Sequence, residues 1–291
     1  MSGPLRLALF ALLLGLVFAA AALAGSALDP DSGGGGSSHA RDDEGEMKAH
    51  ADTNEARTQD HGAEAAGLAS SAGGLQLVVE DRELEPGTDE VLRFSIVRGG
   101  RTVRDFDVAH ERAMHLIVVR RDLSGFQHLH PRQRGDGSWE AELRLPAAGS
   151  YRLFADFAHA GESYTLGSDV AVPGRFEPRP LPAHATEANA DGGYQVRLDR
   201  ESNEVVFTVT RDGQPVRDLQ PYLGAMGHLV ALREGDLAFL HVHPEESERR
   251  GEIRFRVSYP SRDRYRLYLQ FRHDGLVRTA EFTTEPGHAH D

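Results

Sequence analysis

From Leu75 onward, short runs of alternating apolar and polar residues, such as Leu75-Gln76-Leu77, are separated by Gly, Pro and Asp. A period of two is the mark of half-buried strands. It predicts strands over 75–79, 90–97, 114–120, 126–130, 139–145, 151–157 and 164–172. A second set follows over 194–198, 205–210, 228–232, 239–243, 253–258, 265–271 and 277–283. Seven short strands per hundred residues, with no long segment of period 3.6, point to antiparallel β-sandwiches.

The two sets are copies. Phe94, Val103-Arg104-Asp105 and His115 are answered 113 residues later by Phe207, Val216-Arg217-Asp218 and His228. One insertion makes the offset 114, which pairs Pro146 with Pro260, Tyr151-Arg152-Leu153 with Tyr265-Arg266-Leu267, and His159 with His273. The chain therefore reads as an all-β protein of two tandem antiparallel β-sandwiches at 75–172 and 192–285. A Pro-rich linker at 173–191 joins them, and a His-containing tail occupies 286–291.

The N-terminus has another texture. Leu7 to Ala24 carries no charge, and 1–25 reads as a signal peptide or an apolar helical membrane anchor. Residues 26–74 hold ten acidic side chains against Arg41, Lys48 and Arg57 and have no period that buries a face, so they read as a disordered acidic linker. Either fate of the apolar run places the sandwiches outside the cytoplasm, secreted or anchored facing outward. The net charge of −13 disfavours nucleic acid as a partner.

The chain has 15 histidines and no cysteine. Disulfides, lipid-modified cysteine and thiolate metal centres are thereby excluded. Each copy carries the spacing His-x12-His-x-His-Pro: His115, His128 and His130, then His228, His241 and His243. Residues two apart on a strand share a face, and a turn at 122–125 folds His115 back toward His130. His159 and His273 leave neighbouring strands as candidate fourth ligands. Clustered neutral imidazoles suit copper(II) or zinc. Met114 and Met226 read as core residues, and His110 and Glu111, present in the first copy alone, are secondary candidates. His39, His50 and His61 in the acidic segment read as incidental or as a weak metal-capturing arm.

Three motifs, Met114-His115-Leu116-Ile117-Val118-Val119, Phe126-Gln127-His128-Leu129-His130-Pro131 and Tyr151-Arg152-Leu153-Phe154-Ala155-Asp156-Phe157, resemble bacterial extracytoplasmic heavy-metal-binding proteins with Ig-like or cupredoxin-like β-domains, the YtkA-like and CopC-like groups. The resemblance implies handling of a copper or zinc ion, with a membrane metal transporter or a metalloenzyme as recipient. Met-rich loops and an N-terminal His chelate, features of the copper carriers, are missing. The expected function is metal buffering or delivery without catalysis. The alternative is a structural or adhesion module of the cell envelope in which the histidines are turn residues. A metal-dependent enzyme, with Glu111 as its nominated base, is a third reading.

Overall fold

In a computed structural model, the described residues are 66–286, except 202, 203, 241 and 248. The apolar run, most of the acidic linker and the His-containing tail lie outside them. Among the described residues, no helix is long and apolar enough to cross a membrane.

The first sandwich is built from β1 (Ser71–Ala72), β2 (Leu75–Val79), β3 (Asp89–Arg98), β4 (Arg101–Thr102), β5 (His115–Arg120), β6 (Gln127–Leu129), β7 (Arg132–Gln133), β8 (Trp139–Arg144), β9 (Gly149–His159) and β10 (Glu162–Val172). One sheet runs β1-β2-β3-β8-β7 with β4 on β3; the other runs β10-β9-β5-β6.

The second sandwich repeats this order with β11 (Glu187–Ala190), β12 (Tyr194–Glu201), β13 (Glu204–Arg211), β14 (Gln214–Pro215), β15 (His228–Arg233), β16 (Phe239–Leu240), β17 (Val242–Glu245), β18 (Glu252–Val257), β19 (Tyr265–His273) and β20 (Leu276–Thr284). Its sheets are β11-β12-β13-β18-β17, with β14 on β13, and β16-β15-β19-β20. The named strand pairs are all antiparallel, so the chain is all-β with two tandem sandwiches.

Alternating strands bury one face. Leu75, Leu77 and Val79 of β2 enter the first core with Phe94, Trp139 and Leu153, while Gln76 and Val78 stay exposed. The second core holds the corresponding Val196, Phe207, Ile253 and Leu267. In β5, by contrast, all six residues are buried. Leu116 and Val118 face the first core, whereas Ile117 and Val119 enter a third cluster with Leu123, Phe154, Val230, Leu232, Leu237 and Tyr268. The two four-stranded sheets thus pack against each other. Full burial of each such side chain contributes about 1.5–3 kcal/mol. Phe126 stacks on Tyr268 at 4.1 Å, and the Tyr268 hydroxyl donates to the Leu123 carbonyl at 2.6 Å.

Two linker boundaries move. Residues 66–74 belong to the fold: Gly67 N–H donates to Thr165, Gly167 N–H donates to the Ala69 carbonyl, and Phe239 N–H donates to the Ala66 carbonyl. Glycine permits this close approach. A Cβ at Gly167 would lie 1.9 Å from the Gly67 oxygen. The Pro-rich linker likewise ends early, because β11 pairs with β12 from Glu187.

Candidate metal site at the joint

His115 opens β5 opposite Asp156 of β9, and His128 of β6 stands opposite Ile117. With His130 just beyond β6, the hairpin gathers three imidazoles whose ligand nitrogens lie within 4.8 Å of one another. Their ring centroids are 4.8–5.2 Å apart. The second sandwich adds His228, which stacks on His128 at 4.5 Å and on His115 at 5.9 Å. The cluster sits at the edge of the joint.

With the Gln270 amide oxygen toward His128, the outer contacts of two rings set their tautomers. His115 Nε2–H donates to the Ala109 carbonyl at 3.3 Å, and His128 Nδ1–H donates to Gln270 Oε1 at 2.6 Å. A neutral imidazole carries one N–H. The inward nitrogens, His115 Nδ1 and His128 Nε2, therefore both present lone pairs, and they lie 3.0 Å apart. Three contacts, two to carbonyl oxygens and one between the rings, share two ring protons, so one contact is left without a donor. Turning the Gln270 amide over, or placing a cation between the rings, resolves the deficit.

Charge on the rings themselves is disfavoured. Burial holds His128 down at about 3, against an opposing hydrogen bond from Gln270. Burial brings His130 to about 4, with His115 adding repulsion. His115 and His228 are lowered for the same first reason. At neutral pH the cluster is a set of neutral imidazoles, the form that binds metal. Two nitrogens, His130 Nε2 and His228 Nδ1, are buried without a hydrogen-bond partner. Leaving a buried polar atom unpaired costs about 1–3 kcal/mol.

The other sequence candidates are placed elsewhere. His159 donates through Nδ1 to the Asp105 carbonyl at 2.8 Å and stands outside the trio. His273 accepts from the Tyr194 hydroxyl at 2.6 Å and donates from Nε2 to Asp218 at 3.0 Å. His243 is exposed on β17, opposite Arg256. His241, His39, His50, His61, His288 and His290 fall outside the described residues. Met114 is buried in the first core and Met226 is exposed. His110 and Glu111 form an exposed turn beside the cluster, with the His110 ring 6.2 Å from that of His115.

Sequence reasoning passed over two participants. They are Gln270 and Ala109, and Ala109, acting through its carbonyl, offered no side-chain signal at all. The run Leu116-Ile117-Val118-Val119, apolar without alternation, was the available sign that both faces of β5 are covered.

A family model described as a domain of unknown function, DUF8832, matches residues 70–174 and again 188–287. No curated protein matches the sequence. Among solved structures, the Escherichia coli adhesin FdeC is similar at 14% identity over 74% of this chain and 64% of that chain, with TM-score 0.27. Yersinia pseudotuberculosis InvD is similar at 11% identity over 75% and 59%, with TM-score 0.26. A DUF4785 family protein from Legionella pneumophila stands at 12% identity over 72% and 55%, with TM-score 0.24. The chain thus spans about three fifths of these chains' lengths.

Proposed function

The chain belongs to the DUF8832 family, to which its description assigns no function, and from that premise we propose that it binds one transition-metal ion, copper(II) or zinc, at the joint between its sandwiches. His115, His128 and His130 are the ligands, and His228 roofs them. The task fits buffering or delivery outside the cytoplasm, as the apolar leader and the resemblance to the YtkA-like and CopC-like groups lead one to expect.

The facing lone pairs of His115 and His128 carry this reading. Zinc–nitrogen bonds of 2.0–2.1 Å set ligand nitrogens about 3.3 Å apart in a tetrahedron, so the 3.0 Å pair needs a small opening to admit an ion. His130 Nε2, buried and unpaired, supplies a third lone pair. Ala109 and Gln270 would hold the ligand rings from outside, as outer partners of metal-bound histidines do.

The test is titration of the full chain with Co(II), whose visible bands report imidazole coordination, followed by displacement with Zn(II). The expected result is a saturable spectrum that disappears in His128→Ala/His130→Ala. Identical titrations of the two proteins would assign all binding to other histidines.

A second reading, a structural or adhesion module without metal, is favoured by the apolar joint itself. The packing around Tyr268 and the bond from His128 to Gln270 connect the sandwiches without any ion. Under this reading the Gln270 amide nitrogen turns toward His128 and supplies the missing proton.

A further inference from the structure

We infer that the turn His110–Glu111 is the port of the joint site, with His110 the exchanging ligand for an incoming divalent transition-metal ion and Glu111 the carboxylate that draws the hydrated ion in. The inference rests on the metal reading above and adds a route to it.

The turn is closed by reciprocal backbone bonds, Ala109 N–H to Arg112 at 2.9 Å and Arg112 N–H to Ala109 at 3.0 Å. Its two central residues both have positive φ, 50° at His110 and 63° at Glu111. Such two-residue turns favour Asn, Asp and Gly, since the left-handed region crowds the Cβ of other residues. The second repeat makes the same turn between Tyr222 and Ala225, with Leu223 at φ 58° and Gly224 at φ 82°. There the second position has the glycine that the geometry asks for. The first repeat instead holds a glutamate in the unfavourable conformation, and residues kept in such conformations concentrate at functional sites.

The turn is also joined to the site. Its Ala109 carbonyl receives His115 Nε2–H, which leaves Nδ1 as the metal-facing nitrogen. The His110 ring lies edge-on to His115, and charge on His110 would oppose charge on both His115 and His228. His115 is 2% exposed, whereas His110 and Glu111 face solvent. An ion reaching His115 from this side meets His110 first. Arg112 repels cations near His115 and His130, and Glu111, its neighbour in the chain, carries the opposite charge. Asp156, facing His115 from β9, adds attraction further in.

The experiment puts the second repeat's residues into the first, His110→Leu/Glu111→Gly, in the full chain. Stopped-flow mixing with Co(II), and release to a chelator, give the entry and exit rates, with His128→Ala/His130→Ala as the background. Both rates are expected to slow by a common factor, so that equilibrium affinity stays nearly constant. Melting temperature should rise, because glycine relieves the strain at position 111. Glu111→Gly alone should slow entry at low ionic strength and much less at high salt. Unchanged rates in the double variant would overturn the port, and so would faster release with lost affinity, which would make His110 a permanent ligand. If the wild type matches the His128→Ala/His130→Ala background, the metal reading itself fails and the port falls with it.

Discussion

The two repeats carry the same histidine spacing, yet His130 lies against His115 in the first while His243 in the second is drawn into the opposite sheet. In the first, β6 stays with β5 through Leu129, pairing it with Leu116, before the chain crosses to the opposite sheet at Arg132. In the second, β17 has already joined the opposite sheet at Val242, pairing it with Val257. His243 therefore pairs with Arg256 in that sheet, whereas its counterpart His130 precedes β7 and lies against His115. Where a strand changes sheets decides which side of the sandwich its histidines serve. A motif duplicated in sequence is not thereby a site duplicated in space.

The joint exposes this difference most strongly. Tyr268→Ala removes a buried ring that packs on Phe126 and bonds Leu123. Loss of about 3–5 kcal/mol is expected, read as chemical denaturation at neutral pH. A loss below about 1 kcal/mol would mean that the sandwiches are mere neighbours.

Acid is expected to come next. The depressed value of His128, about 3 against 6.5, means that the unfolded chain binds more protons in that window. Stability should be complete above pH 6.5 and fall as pH drops through 6 and 5, by up to about 1.4 kcal/mol per pH unit for each such group. His130, at about 4, adds to the same slope. Thermal melts from pH 7.5 to 4.5 measure it. A slope unchanged in His128→Phe/His130→Phe would show that the cluster is not its source.

Gln270→Leu deletes the acceptor from His128 Nδ1–H while leaving every proposed ligand in place. A 10- to 100-fold loss of Zn(II) affinity is expected, measured by competition with a chromophoric chelator. Full affinity in this variant would remove Gln270 from the site. The smallest effect belongs to His243→Ala, which should leave affinity unchanged because its strand has left for the other sheet.

Much of the architecture was legible beforehand. The alternation in Leu75-Gln76-Leu77 gave β2, and the offset from His115 to His228 gave the duplication. The hairpin bringing His115, His128 and His130 together followed from strand period and a turn near Asp122. Three things were not legible. The early sheet change in the second repeat depends on pairing, which spacing does not encode. His273 carries a matched position but is engaged by Tyr194, a residue 79 positions away. The meeting of β5 and β15 faces needs a contact between sandwiches, for which the unalternating run Leu116 to Val119 was the sole hint.

The most direct measurement is native mass spectrometry of the full chain with limiting Zn(II), for wild type, His128→Ala/His130→Ala and His241→Ala/His243→Ala. One tightly held ion should be present in the wild type, retained in the second-repeat variant and lost in the first-repeat variant. Two tightly held ions, or one that leaves with the second-repeat histidines, would contradict a single site at the joint.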